Sequence, residues 1–312
     1  MKIYNNINEF HRIDHAVVTI GTFDGVHFGH QKIISRLLQL AKNPIAETVV
    51  LTFFPHPRMI LHPEDASIKL ISTMSEKAQL LENLGVDHLI ITPFTRDFSN
   101  LSPQAYIKNI LVDKIGMKKI VIGYDHRFGK DREGGLLHLK QYATKYGFDI
   151  EEIPKQDINA VAISSTKVRN ALLSGDVQMA HQFLGYPFSL SGKVIKGDQI
   201  GRKLGFPTAN IFIEENYKLI PADGIYAVEV TMLSTANAYT LNGMAYIGHR
   251  PTINGMTRNI EVHIFDFDTD IYQQLISIQF LYFVRADQKF NSLDELRNQL
   301  RLDEKLVRKL LI

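Results

Sequence analysis

The sequence of 312 residues contains no cysteine. It therefore cannot form disulfides, bind zinc through thiolates or use a thiol nucleophile. No apolar run approaches the roughly 20 residues that a membrane helix needs, and the segment Met1–Asn6 lacks the long apolar core of a signal peptide. These absences make a soluble cytoplasmic protein the expectation.

The sequence also lacks an excess of charge of either sign. There are 35 basic and 33 acidic side chains, and the formal net charge is +2. This balance gives no reason to expect a nucleic-acid or membrane partner. A hydrophobic content of 45% and a charged content of 22% are typical of a globular protein. The length is sufficient for two domains, each with its own core.

Up to residue 153, short apolar runs alternate with helical patterns. The predicted strands are Ala16–Ile20, Thr48–Phe54, His88–Thr92, Lys119–Gly123 and Phe148–Ile153. The predicted helices between them are Phe28–Ala41, Ser75–Leu84, a segment opened by Ser102-Pro103 and closed by Gly116, and Gly135–Tyr146. Two further helices, Thr166–Ser174 and Val177–Leu184, are predicted after the last of these strands. This alternation predicts a parallel α/β sheet with helices on both faces. Such sheets bind ligands beyond the carboxyl ends of their strands.

After residue 186, strand patterns follow one another without intervening helices. They are Phe188–Ile195, Thr208–Ile213, Gly224–Met232, Ala238–Ile247, Arg258–Phe265 and Ser277–Val284. This succession predicts an all-β antiparallel sheet or small closed barrel. The chain then ends in a predicted helix, Leu293–Leu310, with Ser292 and Glu295 at capping-box positions. We therefore predict two domains, residues 1–185 and 186–312.

The first predicted strand is followed by GTFDGVHFGH, residues 21 to 30. The glycines permit a tight turn, and a helix that starts near Phe28 directs its free N–H groups at the same place. Such a helix start binds phosphate, and His27 and His30 can both face one ligand there. Zinc ligation and an ordinary turn with no ligand remain alternatives. The G-x-x-x-x-G-K-[S/T] phosphate loop is absent.

H-x-G-H after the first strand of a parallel sheet resembles the signature of nucleotidyltransferases, although class I aminoacyl-tRNA synthetases carry a related motif. The longer FDGVHFGHQ resembles the flavin-adenylylating branch in bacterial bifunctional riboflavin kinase/FMN adenylyltransferases, also called FAD synthetases. Three further stretches resemble motifs of that family: FPHPR at 54–58, GYDHRFG at 123–129 and ISSTKVR at 163–169. Thr22 and His126 depart from the family pattern, which more often has asparagine and phenylalanine.

The resemblance implies roles for individual residues of the first domain. His27, His30 and Arg169 would act in catalysis. ATP or phosphate contacts would come from Gly21, Phe23, Gly29, Ser164, Ser165 and Thr166, and flavin contacts from Asp24, Pro55, His56, Pro57, Asp125 and Phe128.

The second half contains GDQIGRKLGFPTAN at 197–210. Its glycines and basic residues suit a loop around phosphates, and the alternating Thr208 and Asn210 offer oxygen ligands for Mg²⁺. A surface hairpin loop is the alternative. The stretch resembles the six-stranded riboflavin kinase barrel of the same family. That resemblance implies Glu261 as catalytic carboxylate, Thr208 and Asn210 as metal ligands, and phosphate contacts at Gly197, Gly201, Arg202 and Lys203. Gln273 departs from the family, which commonly has glycine there.

The resemblance thus implies a bifunctional enzyme that phosphorylates riboflavin and then adenylylates FMN. Its substrates would be riboflavin, FMN and ATP, with Mg²⁺ as cofactor and a possible homo-oligomeric state. A single-activity adenylyltransferase and a flavin-responsive regulator are the rival hypotheses.

Overall fold

The computed structural model describes residues 1–42, 45–65, 68–154, 163–197, 199–233, 238–252 and 255–312. The chain divides into two compact units, Met1–Ser165 and Thr166–Ile312. Asp198, in the glycine-rich stretch of the second unit, lies outside the described residues. Among the residues that are described, no helix is both long and apolar enough to cross a bilayer.

The first unit is built on a six-stranded parallel sheet. Its strands are β1 (Lys2–Tyr4), β2 (Ala16–Ile20), β3 (Glu47–Phe53), β4 (His88–Thr92), β5 (Met117–Gly123) and β6 (Asp149–Ile153). They are ordered β1-β4-β3-β2-β5-β6. The chain builds outward from β2 to β3 and β4 and then returns to β5 on the other side, so the order reverses between β2 and β5. Ligands of open α/β sheets bind at such a reversal.

Helices cover both faces of this sheet because its strands are apolar on both faces. All five residues of β2 are buried, as is typical of parallel sheets. Val18 packs in one core with Leu111 and Leu139, whereas Val17 packs in another with Ile34 and Leu81. The helices are α1 (Phe28–Leu40), α2 (Pro57–Leu61), α3 (Met74–Asn83), α4 (Arg96–Ser99), α5 (Pro103–Ala105), which continues as the π-helix Tyr106–Ile115, and α6 (Leu136–Tyr146).

Helix α7 (Ser165–Leu173) begins at the unit boundary, and α8 (Val177–Leu184) follows it. Both were predicted to belong to the first domain. By packing, residues from Thr166 onward belong to the second unit. The predicted boundary near residue 186 stays a prediction.

The second unit is a closed antiparallel barrel, as the succession of strands predicted. Its strands are β7 (Ser189–Ile195), β8 (Ala209–Phe212), β9 (Gly224–Met232), β10 (Thr240–Thr252), β11 (Gly255–Ile264) and β12 (Leu275–Arg285). Their order around the barrel is β10-β11-β8-β7-β12-β9. A short helix, α9 (Ile200–Leu204), lies between β7 and β8, and α10 (Leu293–Leu310) ends the chain.

Local signals set the ends of these elements. Ser102 Oγ accepts the N–H of Ala105, and Gly116, at φ 83°, ends that helix. At the start of α10, Ser292 Oγ accepts the N–H of Glu295, while Glu295 Oε2 accepts the N–H of Asn291. The predicted N-caps Ser102 and Ser292 and the helix end at Gly116 are therefore confirmed, whereas Glu295 accepts the N–H of Asn291 rather than that of Ser292, as a capping box would require.

Candidate active sites

A cavity of about 1080 Å³ opens at the carboxyl ends of the strands in the first unit. It exceeds the ~300–1,000 Å³ typical of a pocket for one small ligand. The turn after β2 and the loop after β5 both line it, which places it at the reversal of strand order. Of the residues predicted from the sequence, the cavity is lined by Gly21, Phe23, His27, Gly29, His30, His56, Pro57, Asp125, Phe128, Ser164 and Ser165.

The turn after β2 has a strained backbone, and the carboxylate of its residue Asp24 binds it to the backbone of Ile71 and Ser72. Phe23 and Val26 have φ of 45° and 37°, which non-glycine residues rarely adopt, and Gly25 has φ 74°. The Asp24 carboxylate is 1% exposed and accepts the N–H groups of Ile71 and Ser72 at 2.9 and 3.2 Å. Asp24 thus fixes the backbone behind the cavity lining and is not itself one of the residues that line the cavity. This position does not favour the predicted flavin contact of Asp24.

His27 and His30 are brought together at the start of α1. The His27 ring is the N-cap of α1, since its Nδ1 accepts the N–H of His30 at 3.4 Å. In the neutral ring the proton therefore lies on Nε2, which can donate to a ligand. The two rings stack with centroids 3.7 Å apart. No third histidine or carboxylate among the described residues joins the pair as a set of metal ligands.

The His30 imidazole is uncharged near neutral pH. Burial, together with the nearby His27 and Lys77, holds the pKa of His30 well below its usual value. Its Nδ1 is buried without a hydrogen-bond partner in the described part of the chain. Negative charge placed beside the ring would raise this pKa, because it favours the imidazolium.

Lys77, on α3, is a buried cation that the sequence did not single out. It is 2% exposed, and burial lowers its pKa to about 8 while the Asp24 carboxylate opposes that shift. Its Nζ contacts Met74 Sδ at 3.6 Å. Lysine on an amphipathic helix is ordinarily solvated, so nothing in the local pattern distinguishes Lys77 from an exposed lysine.

Two predicted residues of the serine-rich motif line the cavity. They are Ser164 and Ser165, and the Ser165 hydroxyl donates to the Asp24 carbonyl at 3.1 Å. Thr166 and Arg169 belong to the second unit. Pro55 does not line the cavity, although its neighbours His56 and Pro57 do. The roles predicted for Thr166, Arg169 and Pro55 stay predictions.

Four arginines that the sequence analysis did not assign to the site also line the cavity: Arg58, Arg96, Arg127 and Arg132. The aspartates of the lining are Asp125 and Asp131. The excess of cationic side chains suits anionic ligands such as phosphates. The signal was present in the sequence, because arginines follow β3, β4 and β5 at the edge where ligands bind.

The barrel brings together Glu261, Thr208 and Asn210. Glu261 pairs with Asn210 across β11 and β8. The Thr208 hydroxyl donates to Glu261 Oε2 at 2.9 Å, and the Asn259 amide donates to Glu261 Oε1 at 2.6 Å and approaches Asn210 Oδ1 at 3.5 Å. Glu261 is 8% exposed. Asn259 was missed because it lies two residues before Glu261, on the same face of β11, outside any motif.

Hydroxyl, amide and carboxylate oxygens thus converge at one place in the barrel. A hard oxygen donor set of this kind fits Mg²⁺. A Cβ at Gly197 would collide with the Asn210 side chain, so the backbone at Gly197 lies directly against this cluster. The metal-ligand role predicted for Thr208 and Asn210 stays a prediction.

The basic residues of the second glycine-rich stretch lie on a helix, not on an open loop. Gly201, Arg202 and Lys203 lie on α9, which Gly205 closes at φ 90°. A Cβ at Gly201 would collide with the Phe206 carbonyl. Arg202 lines a cavity of about 80 Å³ with Thr208, Asp270 and Tyr272, and Lys203 does not. The phosphate contacts predicted for Gly197, Gly201, Arg202 and Lys203 stay predictions.

The turn expected to change at Gln273 keeps a glycine-like backbone. Gln273 has φ 66°, in the left-handed region that costs a non-glycine residue about 1–2 kcal/mol.

Two family models match this chain. The model for FAD synthetase covers residues 10–167, and the model for riboflavin kinase covers residues 184–311. Three curated relatives are all described as bifunctional riboflavin kinase/FMN adenylyltransferase. The Listeria monocytogenes protein is 40% identical (92% of this chain, 90% of the relative). The proteins of Escherichia coli K12 and Buchnera aphidicola of Schizaphis graminum are 38% and 36% identical (93% and 99% of this chain, 90% and 98% of the relatives).

A solved structure from Streptococcus pneumoniae, described as a macrolide-efflux protein, has the same fold over nearly the whole length. It covers 98% of both chains with a TM-score of 0.87 and 32% sequence identity. Its name differs from those of the enzymes, so the family assignment depends on the two family models and the curated relatives. On these matches, the chain belongs to the family of bifunctional riboflavin kinase/FMN adenylyltransferases.

Proposed function

We propose that this protein makes FAD from riboflavin in two ATP-dependent steps, one in each half of the chain. The barrel would transfer the γ-phosphoryl group of ATP to riboflavin, giving FMN and ADP. The parallel-sheet unit would transfer AMP from ATP to FMN, giving FAD and pyrophosphate. The observation that carries the proposal is the presence of both side-chain constellations, His27 with His30 and Glu261 with Thr208 and Asn210.

In the kinase step, Glu261 would accept the proton of the riboflavin 5′-hydroxyl as that oxygen attacks the γ-phosphorus. Thr208 and Asn259 each donate a hydrogen bond to one of the two carboxylate oxygens. Thr208 and Asn210 would hold Mg²⁺, which supplies positive charge to the phosphate oxygens when bound. The Thr208 hydroxyl can donate its hydrogen to Glu261 and still offer an oxygen lone pair to the ion.

In the adenylylation step, the phosphate of FMN attacks the α-phosphorus and pyrophosphate leaves. That phosphate is already ionised near neutral pH, so the step needs no strong protein base. Catalysis would then come from positioning and from charge stabilisation. His27 Nε2, His30 and the free N–H groups at the start of α1 are the donors available for this at the cavity.

The two steps can be tested by incubating the purified protein with riboflavin, ATP and Mg²⁺ and resolving the flavins by chromatography. We expect FMN and FAD. If FMN accumulates and added FMN is not converted, the adenylyltransferase assignment is wrong. FAD formed only from added FMN would favour the single-activity adenylyltransferase, and no product from either flavin would favour the flavin-responsive regulator.

Two variants test the division of labour between the units. Glu261→Gln should block FMN formation and leave the conversion of FMN to FAD intact. His30→Ala should have the reverse effect. If either folded variant loses both activities, the assignment of one step to each unit is wrong.

Mg²⁺ dependence, the domain boundary near residue 186, a cytoplasmic location and a homo-oligomeric state stay predictions.

A further inference from the structure

One side of the large cavity is a continuous wall of aromatic rings. Phe53 contacts Phe94 and Phe98 with centroids 5.5 Å apart, and Phe98 contacts Tyr106 at 5.8 Å. Phe128 stacks on Tyr106 at 5.2 Å and lies beside the ring of His126 at 5.7 Å. All six rings line the cavity. Such a surface suits a large planar ligand.

Two polar atoms in this wall have no partner in the protein. His126 Nε2 and the Tyr106 hydroxyl are buried, and neither makes a hydrogen bond with any described residue. A buried polar atom left unpaired costs about 1–3 kcal/mol. Both residues line the cavity, so a rotation of either side chain on ligand binding would bring its unpaired atom to the ligand and remove that cost.

The imidazole of His126 is neutral near physiological pH. Burial lowers its pKa to about 4, with Arg132 acting in the same direction and Asp125 opposing it. A neutral imidazole has one N–H and one lone pair. His126 can therefore pair with a carbonyl or with an N–H of an uncharged ring, and it adds no positive charge for a phosphate.

We propose that His126 determines flavin specificity in this cavity, with its Nε2 hydrogen-bonding the pyrimidine edge of the isoalloxazine ring. The proposal rests on the adenylyltransferase function proposed above. The pyrimidine edge alternates carbonyl and N–H groups, whereas the opposite edge carries only methyl groups. A phenylalanine in place of His126 would pack beside Phe128 equally well but would leave that polar edge unpaired. This chain should therefore discriminate among flavins more strictly than a variant with phenylalanine at position 126.

The test compares wild type, His126→Phe and His126→Gln in FMN adenylylation, with FMN and with N3-methyl-FMN, whose pyrimidine edge is blocked. Wild type should prefer FMN. His126→Phe should raise the KM for FMN about 2- to 10-fold, the worth of one neutral hydrogen bond, and should lose most of the preference for FMN. His126→Gln, which keeps a polar side chain, should retain part of it, and the KM for ATP should stay unchanged in both variants.

Riboflavin kinase activity of the same molecules checks that the barrel is intact, and an unchanged KM for ATP in adenylylation checks that the first unit of each variant is folded. His15→Phe replaces an exposed histidine outside the cavity and should change none of these values. If His126→Phe does not fold, His126→Leu supplies the same comparison.

An unchanged KM for FMN in His126→Phe, an undiminished preference for FMN, or a raised KM for ATP alone would overturn the proposal. If the wild type makes no FAD from FMN, the proposed adenylyltransferase function is wrong, whatever the role of His126. Titration of flavin fluorescence then still decides the inference, because His126→Phe must bind FMN more weakly than wild type for it to stand.

Discussion

At the scale of single residues, the orientation of Glu261 depends on its neighbours. Asn259 and Thr208 each donate to a different oxygen of the carboxylate, at 2.6 and 2.9 Å. Asn259 lies two positions before Glu261 on the same strand, and Thr208 reaches it from beside β8. The carboxylate is thus held before riboflavin binds, and a proton acceptor held in place is worth more than one that must be ordered during the reaction.

We expect Asn259→Ala to lower the kcat for FMN formation about 10-fold or more, because a hydrogen bond to a charged group is worth about 1.5–3 kcal/mol. The KM for riboflavin should change little, since Asn259 contacts the proton acceptor Glu261 and does not contact the flavin in the proposed mechanism. Steady-state assays of both activities measure the effect, and FAD formation from FMN should be unaffected.

Asn242→Ala, at an exposed position of β10, is the matched control and should leave kcat as it was. An unchanged kcat in Asn259→Ala would mean that Thr208 alone fixes the carboxylate.

The sequence identified the candidate site residues that lie in recognisable motifs. It did not identify the residues that hold those side chains in position. The motifs named His27 and His30, which lie together, and Thr208, Asn210 and Glu261, which also lie together. Asn259, Lys77 and the clamp formed by Asp24 with Ile71 and Ser72 depend on contacts between residues distant in sequence or on burial. A sequence pattern gives periodicity but not which backbone N–H a carboxylate will meet.

At the scale of elements, the bounds of long apolar or strongly periodic segments were predicted to within five residues at each end. β2, β4, β9 and α10 have the predicted bounds. The strand β1, with three residues, was missed, because its only sheet partner is β4 and three residues give no periodicity. Helices α2 and α9, of five residues each, were also missed, since proline and glycine dominate their surroundings.

Helix α10 is fastened to the barrel by an ion pair. Arg285, the last residue of β12, donates from Nε and Nη2 to the Asp303 carboxylate at 3.0 and 2.7 Å. The Asp303 side chain is 3% exposed, and Gln299 also donates to it. Close by along the helix, Val307 is buried with Ile225 and Ala227.

Asp303→Ala should lower the unfolding free energy of the barrel by about 3 kcal/mol, because removing one partner of a buried pair leaves the other charge poorly compensated. Chemical denaturation followed by circular dichroism measures this. Asp294→Ala, an exposed position of the same helix, should cost no more than about 1 kcal/mol. Equal losses in the two variants would show that the ion pair contributes nothing specific.

At the scale of the whole molecule, the sequence predicted one α/β unit and one all-β unit, and both are present. The order of the strands could not be read from the pattern, since alternation of strands and helices is the same for every order. Barrel closure likewise depends on the pairing of β9 with β12, two strands more than forty residues apart in sequence. The reversal of strand order between β2 and β5, where the cavity lies, follows from the pairing of the strands in the structure and not from the sequence pattern.

The buried histidines predict how stability of the first unit changes with pH. The folded protein keeps His30 and His126 neutral with pKa values below the usual 6.5, to about 4 for His126. Between pH 6.5 and 4 the unfolded chain therefore binds more protons than the folded one. The unfolding free energy should fall as pH is lowered through this range.

Denaturation midpoints of wild type and His126→Phe at pH 7.5, 6.0 and 5.0 measure this slope. The variant should show a shallower loss, because one of the two groups is gone. The exposed-site variant His15→Phe should match the wild-type slope. If His126→Phe also matches it, His126 is protonated in the folded protein.

The two edge strands of the parallel sheet, β1 and β6, affect the tendency of the protein to aggregate at high concentration. A sheet edge offers unpaired backbone groups to which another chain can add as a strand, which is a common start of aggregation. β1 leaves only three residues for such pairing, and β6 carries Asp149, Glu151 and Glu152 among its five residues. Glu151 is also tied to Arg36 of α1 at 2.6 Å. The edges of the open sheet are thus protected from aggregation by the shortness of β1 and the charge of β6, whereas the barrel is protected by its closure. Apolar substitutions on the surface should therefore affect the aggregation of the two units differently.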